Sequence, residues 1–220
     1  MGDGTLDNAH ALPGGSTALT AELTDMIEEA VLPMNAQGVQ IEPAHRKVTC
    51  LANSSACTAV SLLDTQVPLL PPDATHVVIS VGAVDAEHAR ASLAAAPSST
   101  ALEALSQLAA AQHAFESALG SALERIGSRG LPILIFVPTD LSLIAADSST
   151  QMTTQASLAL FADVIYRQAA RHGLALADLR LVLTDASDFS RRTSTSVAGA
   201  SKVCFKISEW LVRKVSEPSV

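Results

Sequence analysis

Apolar positions recur along this chain with two periods, and the two alternate. Over 16–35, Leu19, Leu23, Ile27 and Val31 fall four residues apart, which predicts a helix with Ser16 or Thr17 capping its start. Over 101–127, Leu102, Leu105, Leu108, Phe115, Leu119, Leu123 and Ile126 recur at spacings of three, four and seven, which predicts one buried face along a long helix. A third helix is expected over 151–171 with Leu158, Phe161, Ile165 and Ala169 inward, and a last one over 197–214. Between these lie short apolar, β-branched runs at 47–52, 76–82, 131–138 and 177–183, which read as buried strands. Gly130 and Gly173 each follow a predicted helix and precede a predicted strand, where a left-handed glycine closes the helix. Strands alternating with helices of this length imply parallel pairing with helices on both faces. The expected fold is α/β, a three-layer α/β/α sandwich forming a single domain over 1–220. In such sheets the chemistry sits beyond the C-terminal ends of the strands. Here those ends are 50–55, 82–88, 138–143 and 184–196.

Composition narrows the function classes. Fourteen basic and 22 acidic residues give a net charge of −8, which excludes a broadly basic nucleic-acid binder. Aromatic residues make up only 3%, so base-stacking platforms are excluded too. The charge is uneven: residues 191–220 carry six basic and two acidic groups, against 8 and 20 in the rest. That basic end suits the dipole of a final helix, with Arg213 and Lys214 near its C-terminus; a basic partner-binding patch is the other reading.

The three cysteines, Cys50, Cys57 and Cys204, make neither a disulfide framework nor a metal site. The N-terminus has no basic region followed by an apolar run, and Leu6 stands where a myristoylation motif wants Ser or Thr. No apolar stretch approaches the length of a membrane span. The expectation is a soluble cytoplasmic protein with reduced thiols.

The strand ends carry an ordered set of motifs. Gly2-Asp3-Gly4-Thr5-Leu6-Asp7-Asn8 comes first, and Asn53-Ser54-Ser55-Ala56 second. Val77 to Ala86, which contains Gly82-Ala83-Val84-Asp85, is the third. Asp178-Leu179-Arg180, Asp188-Phe189-Ser190 and Ser196 to Lys202 make up the last. In this order, over essentially the whole chain, the sequence resembles the GDSL/SGNH hydrolases, a superfamily of esterases and lipases on a flavodoxin-like parallel sheet. The resemblance implies a nucleophile in a Gly-Asp-Ser block, with oxyanion donors from a Gly after the second strand and the Asn of Gly-x-Asn-Asp. It implies a base in an Asp-x-x-His block before the last helix. It also implies a strand before residue 2, so the first strand of the sheet is expected to be missing from the chain.

The departures fall on the chemistry. After Asp3, the nucleophile position is Gly4. The second-block glycine is Ser54, and the oxyanion asparagine is Val84, beside a retained Asp85. The dyad positions are Arg191 and Ser194. Losing one triad member or one oxyanion donor costs orders of magnitude in rate. The resemblance therefore implies a hydrolase-like protein with little or no serine-dependent ester hydrolysis.

Two alternatives stand beside it. One is an active ester hydrolase with a rebuilt site, using Ser54 or Ser55 as nucleophile and His88 or His10 as base. His88 lies three residues after Asp85, so a helical turn would put the two on one face. The other is a non-catalytic scaffold or binding protein whose cleft takes a small acyl or glycan ligand, made more apolar by Val84. Asp3, Asp7 and Asp85 lack the spacing of a metal site, and no Gly-rich loop could cradle a phosphate, so no cofactor is expected.

Overall fold

The computed structural model describes residues 1, 23–26, 48–52, 57–95, 100–139, 147–191 and 194–216. Three strands, β1 (Val77–Ser80), β2 (Ile133–Val137) and β3 (Ala175–Asp178), pair in parallel in the order β1-β2-β3. Their register sets Ile79 beside Ile135, and Ile135 beside Leu176. Side chains alternate across the sheet as strand geometry requires. Val77, Ile79, Ile133, Ile135 and Val137 join one core. Leu134 and Phe136, with Val78, Ala175 and Ala177 packed against them, join the other.

Each core has its own helical layer. Among the described residues the long helices are α1 (Ala83–Ala95), α2 (Ala101–Gly127), α3 (Ser148–His172) and α4 (Val197–Ser216). The first three supply Ala86, Phe115, Leu119, Phe161 and Ile165 to one core, while Val203, Cys204 and Ile207 of α4 fill the other. This is the three-layer α/β/α arrangement, and every connection between parallel strands is helical, as parallel pairing demands.

Helix ends have identifiable causes. Thr100 and Glu103 form a reciprocal capping box at the start of α2. The Asp147 carboxylate accepts the Thr150 N–H at the start of α3. Gly173, with φ of 62°, closes α3 as the glycine pattern predicts. Before β1, a continuous helical stretch runs through Ala59–Ser61, Leu62–Gln66 and Val67–Leu69. Its end is held by Arg129, whose guanidinium donates to the carbonyls of Leu70, Pro71 and Pro72.

The outer edge of β1 carries Met1. Its N-terminal amine donates to Val78 O, and its carbonyl accepts the Ser80 N–H at 3.0 Å. That pattern, one residue bridging i and i+2 of the neighbour, is the parallel ladder. The first residue thus occupies a strand position opposite Ile79.

Several expectations need correction. Residues 48–52 form no strand, and 177–183 is not one strand. β3 stops at Asp178, whose carboxylate accepts the Arg180 N–H and turns Leu179–Leu181 into a 3₁₀ turn. The long face predicted for 101–127 is buried only in its second half, since Leu102 and Leu105 are 74% and 65% exposed. The helix expected over 16–35 lies outside the described residues except for a helical turn at 23–26, where Leu23 is buried. The proposed caps Ser16 and Thr17 also lie outside them.

Candidate functional site

The C-terminal end of β1 delivers the chain to Gly82, whose φ of +113° few side chains tolerate. A Cβ there would also meet the Phe115 ring at 3.1 Å. The tight turn leads straight into α1, so Val84 and Asp85 occupy its first turn. Val84 is half-buried and offers no donor. The Asp85 carboxylate accepts the Ala59 backbone N–H, at 3.3 Å to Oδ1 and 3.2 Å to Oδ2. This bond clamps the start of the helical stretch after Cys57 against the start of α1. Cys57 is buried, and its sulfur accepts a hydrogen bond from Gln66 Nε2 at 3.2 Å. His88 is one turn further along α1 and exposed; no hydrogen bond joins it to Asp85.

Beyond β3, Asp178 meets Arg180 and Tyr166. Arg180 donates through Nε and Nη2, the latter at 2.6 Å, and the Tyr166 hydroxyl donates at 2.8 Å. Burial by itself would push the Asp178 carboxyl up; the Arg180 and Tyr166 hydrogen bonds outweigh it and hold the group below its ordinary value. The Tyr166 phenol is raised by burial and by the adjacent carboxylate.

The segment before α4 forms a small antiparallel hairpin, β4 (Phe189–Arg191) with β5 (Ser194–Thr195), in which Arg191 and Ser194 are register partners. One residue fastens it. The Asp188 side chain, 2% exposed, accepts Lys202 Nζ at 2.8 Å and the Asp185 N–H at 3.1 Å. Its carbonyl accepts the Ser196 N–H at 2.8 Å. That carbonyl lies where a Cβ on Gly199 would sit, so glycine is what lets α4 approach the loop.

Of the residues singled out in the sequence, Val84, Asp85 and His88 come together on α1, and Arg191 and Ser194 come together in the hairpin. Asp3, Gly4, His10, Ser54 and Ser55 lie outside the described residues. The sequence pattern did not reveal Ala59, Tyr166 and Lys202 as partners of the carboxylates of Asp85, Asp178 and Asp188, or Gly199 as the residue packed on the Asp188 carbonyl. Only the Gly199-x-x-Lys202 spacing at the start of a helix carried a local signal. Asp85, Asp178 and Asp188 each hold backbone or a cation, which is positioning work. Among the described residues no group of His, Cys, Asp and Glu is placed to hold a metal ion, and no helix is long and apolar enough to cross a membrane. An open groove of about 460 Å³ runs between Leu181–Val182 and the Lys202–Lys206 stretch of α4, but none of the sequence-predicted residues lines it.

No family model matches the chain, and no curated protein matches it. Solved structures do. An α/β hydrolase enzyme, LAE5, from the metagenome of Lake Arreo, Spain, aligns over 94% of this chain and 91% of its own, with TM-score 0.63 and 15% identity. An acetyl xylan esterase, AlAXEase, aligns over 94% and 96%, with TM-score 0.62 and 14% identity. A member of the lipolytic G-D-S-L family from Veillonella parvula aligns over 96% of both chains, with TM-score 0.60 and 14% identity. At such identity the likeness is one of fold: the chain has the sheet and helical layers of the GDSL/SGNH hydrolases.

Proposed function

We propose that this chain is a catalytically degenerate SGNH/GDSL-hydrolase-like protein, one that keeps the cleft of an esterase without serine-dependent turnover. The observation that carries the reading is the end of β1. There the motif reads Gly82-Ala83-Val84-Asp85, an aliphatic residue fills the donor position, and the retained carboxylate clamps Ala59. Electrostatic stabilisation of a tetrahedral oxyanion needs donors aimed at the developing charge, and Val84 has none to offer. Gly4 at the nucleophile position and Arg191 and Ser194 at the dyad positions point the same way. A small acyl or glycan ligand held without turnover is the occupant this reading favours, since the cleft is more apolar with Val84 than with asparagine.

Turnover of p-nitrophenyl acetate tests it, measured on the native chain and on Gly4→Ser. Both are expected to run at the background rate, because one restored hydroxyl has neither base nor oxyanion donors. Hydrolysis by the native chain that saturates with substrate, with a sigmoidal pH profile centred near a histidine value of about 6.5, would overturn the proposal in favour of a rebuilt site.

A further inference from the structure

Helix α4 buries one apolar face and exposes another. Val203, Cys204, Ile207 and Trp210 fill the core on its side of the sheet. Val197, Phe205 and Val212, eight and seven residues apart, fall on the outer side and are 50%, 58% and 41% exposed. Leu181, on the 3₁₀ turn across the open groove from Phe205, is 79% exposed. Large apolar side chains left in water together mark a contact surface rather than a core that failed to close.

A row of cations runs beside the apolar row. Lys202, Lys206 and Arg213 repeat the spacing of Ser201, Phe205 and Val212 one residue later, so the two rows are neighbours along the helix. Lys206 Nζ stands 5.9 Å from the centroid of the Phe205 ring. Lys202 is held by Asp188 and Asp185, while Lys206 and Arg213 share Glu209. These pairs leave a surplus, because Arg191, Arg192, Lys202, Lys206, Arg213 and Lys214 outnumber Asp185, Asp188, Glu209 and Glu217. A charged plane senses that sum, since screening at ordinary salt acts over about 10 Å.

We propose that this face of α4 rests reversibly on an anionic lipid surface, with Phe205 and Leu181 entering the headgroup layer and the cations beside the lipid anions. An apolar row flanked by lysine and arginine is the pattern of a helix lying in a membrane interface. Charge complementarity selects the lipid. Residues 191–220 carry six basic and two acidic groups, whereas the rest of the chain carries 8 and 20, so an anionic surface attracts this segment and repels the remainder. A second copy is disfavoured, because it would set two cationic rows against each other. Phe205 and Leu181 project outward, and a lipid surface takes projecting apolar side chains without the shaped pocket that a protein partner would need. The inference goes beyond the proposed function and holds whether or not any serine is activated.

Flotation with phosphatidylcholine vesicles, with and without about 30% phosphatidylserine, tests the proposal. The native chain is expected to float with the anionic vesicles and not with the neutral ones, and to be released as salt rises from about 0.05 to 0.5 M. Leu181→Ser/Phe205→Ser and, separately, Lys206→Gln/Arg213→Gln are each expected to weaken binding by about tenfold or more, with unchanged far-ultraviolet circular dichroism. Val212→Ser, in the same apolar row, serves if the first pair unfolds. A native chain that floats with neither vesicle overturns the proposal, as does one that floats equally with both. Folded variants that float like the native chain overturn it as well. A native chain that ignores vesicles but binds polyglutamate would make the face a dock for an acidic protein, and would overturn it too.

Discussion

The carboxylate of Asp85 holds the backbone N–H of Ala59 through both oxygens, joining two segments 26 residues apart in sequence. A carboxylate so placed is a structural clamp between the start of α1 and the helical stretch that begins at Ala59. Asp85→Ala is expected to leave that N–H unsatisfied and cost about 1–3 kcal/mol in urea unfolding. Asp85→Asn, which keeps an acceptor, should cost less. Equal losses from the two would remove the clamp from the account.

Gly199 tests the seating of the hairpin. A methyl group there meets the Asp188 carbonyl, a backbone group that cannot turn aside as a flexible side chain could. Gly199→Ala is expected to lower stability by about 3 kcal/mol, the upper end for overpacking, although alanine normally favours a helix. Hydrogen exchange should also quicken at Ser196, whose N–H is bonded to that carbonyl. A stabilised variant would contradict the close approach.

Acid sensitivity follows from Asp178. Its folded-state value is depressed, so its contribution is complete above the ordinary carboxylate range, about pH 4, and fades as pH falls through the folded value. Asp178→Asn should be less stable at neutral pH and lose part of that acid limb. Unfolding curves at a series of pH values from 7 down to 3 check this.

His76 sets a second pH response. Its ring lies edge-on to Trp210, the only tryptophan, with centroids 5.5 Å apart. Burial lowers the imidazole below its ordinary 6.5. The neutral ring's contribution is therefore present above that value and is lost as pH falls through the folded one. Tryptophan fluorescence is expected to drop with a midpoint below 6.5 as the ring charges, and His76→Phe should abolish the step. A midpoint above 6.5 would contradict the burial argument.

Much of the fold was legible where side-chain periodicity is loud. The β-branched run at Val77–Ser80 and the apolar run at Ile133–Val137 are strands, and Leu158, Phe161, Ile165 and Ala169 point inward as spaced. Helix α1 was silent because its buried face is Ala83, Ala86 and Ala89, whose methyls give little contrast with exposed alanines. The alternation through Leu179, Leu181 and Leu183 imitates a strand, but Asp178 competes for the Arg180 N–H and wins. The exposure of Leu102 and Leu105 depends on where α3 lies, which no local pattern encodes. At the candidate site the motif order was readable, whereas the partners of Asp85 and Asp188 are a backbone amide and a lysine brought in by the fold.

The most direct test of the central claim is intact-mass analysis of folded protein after treatment with a fluorophosphonate probe. The proposed reading, in which no serine is activated, predicts the unmodified mass. A stoichiometric adduct that maps to Ser54, Ser55 or any other single serine would contradict it and make the protein an active hydrolase.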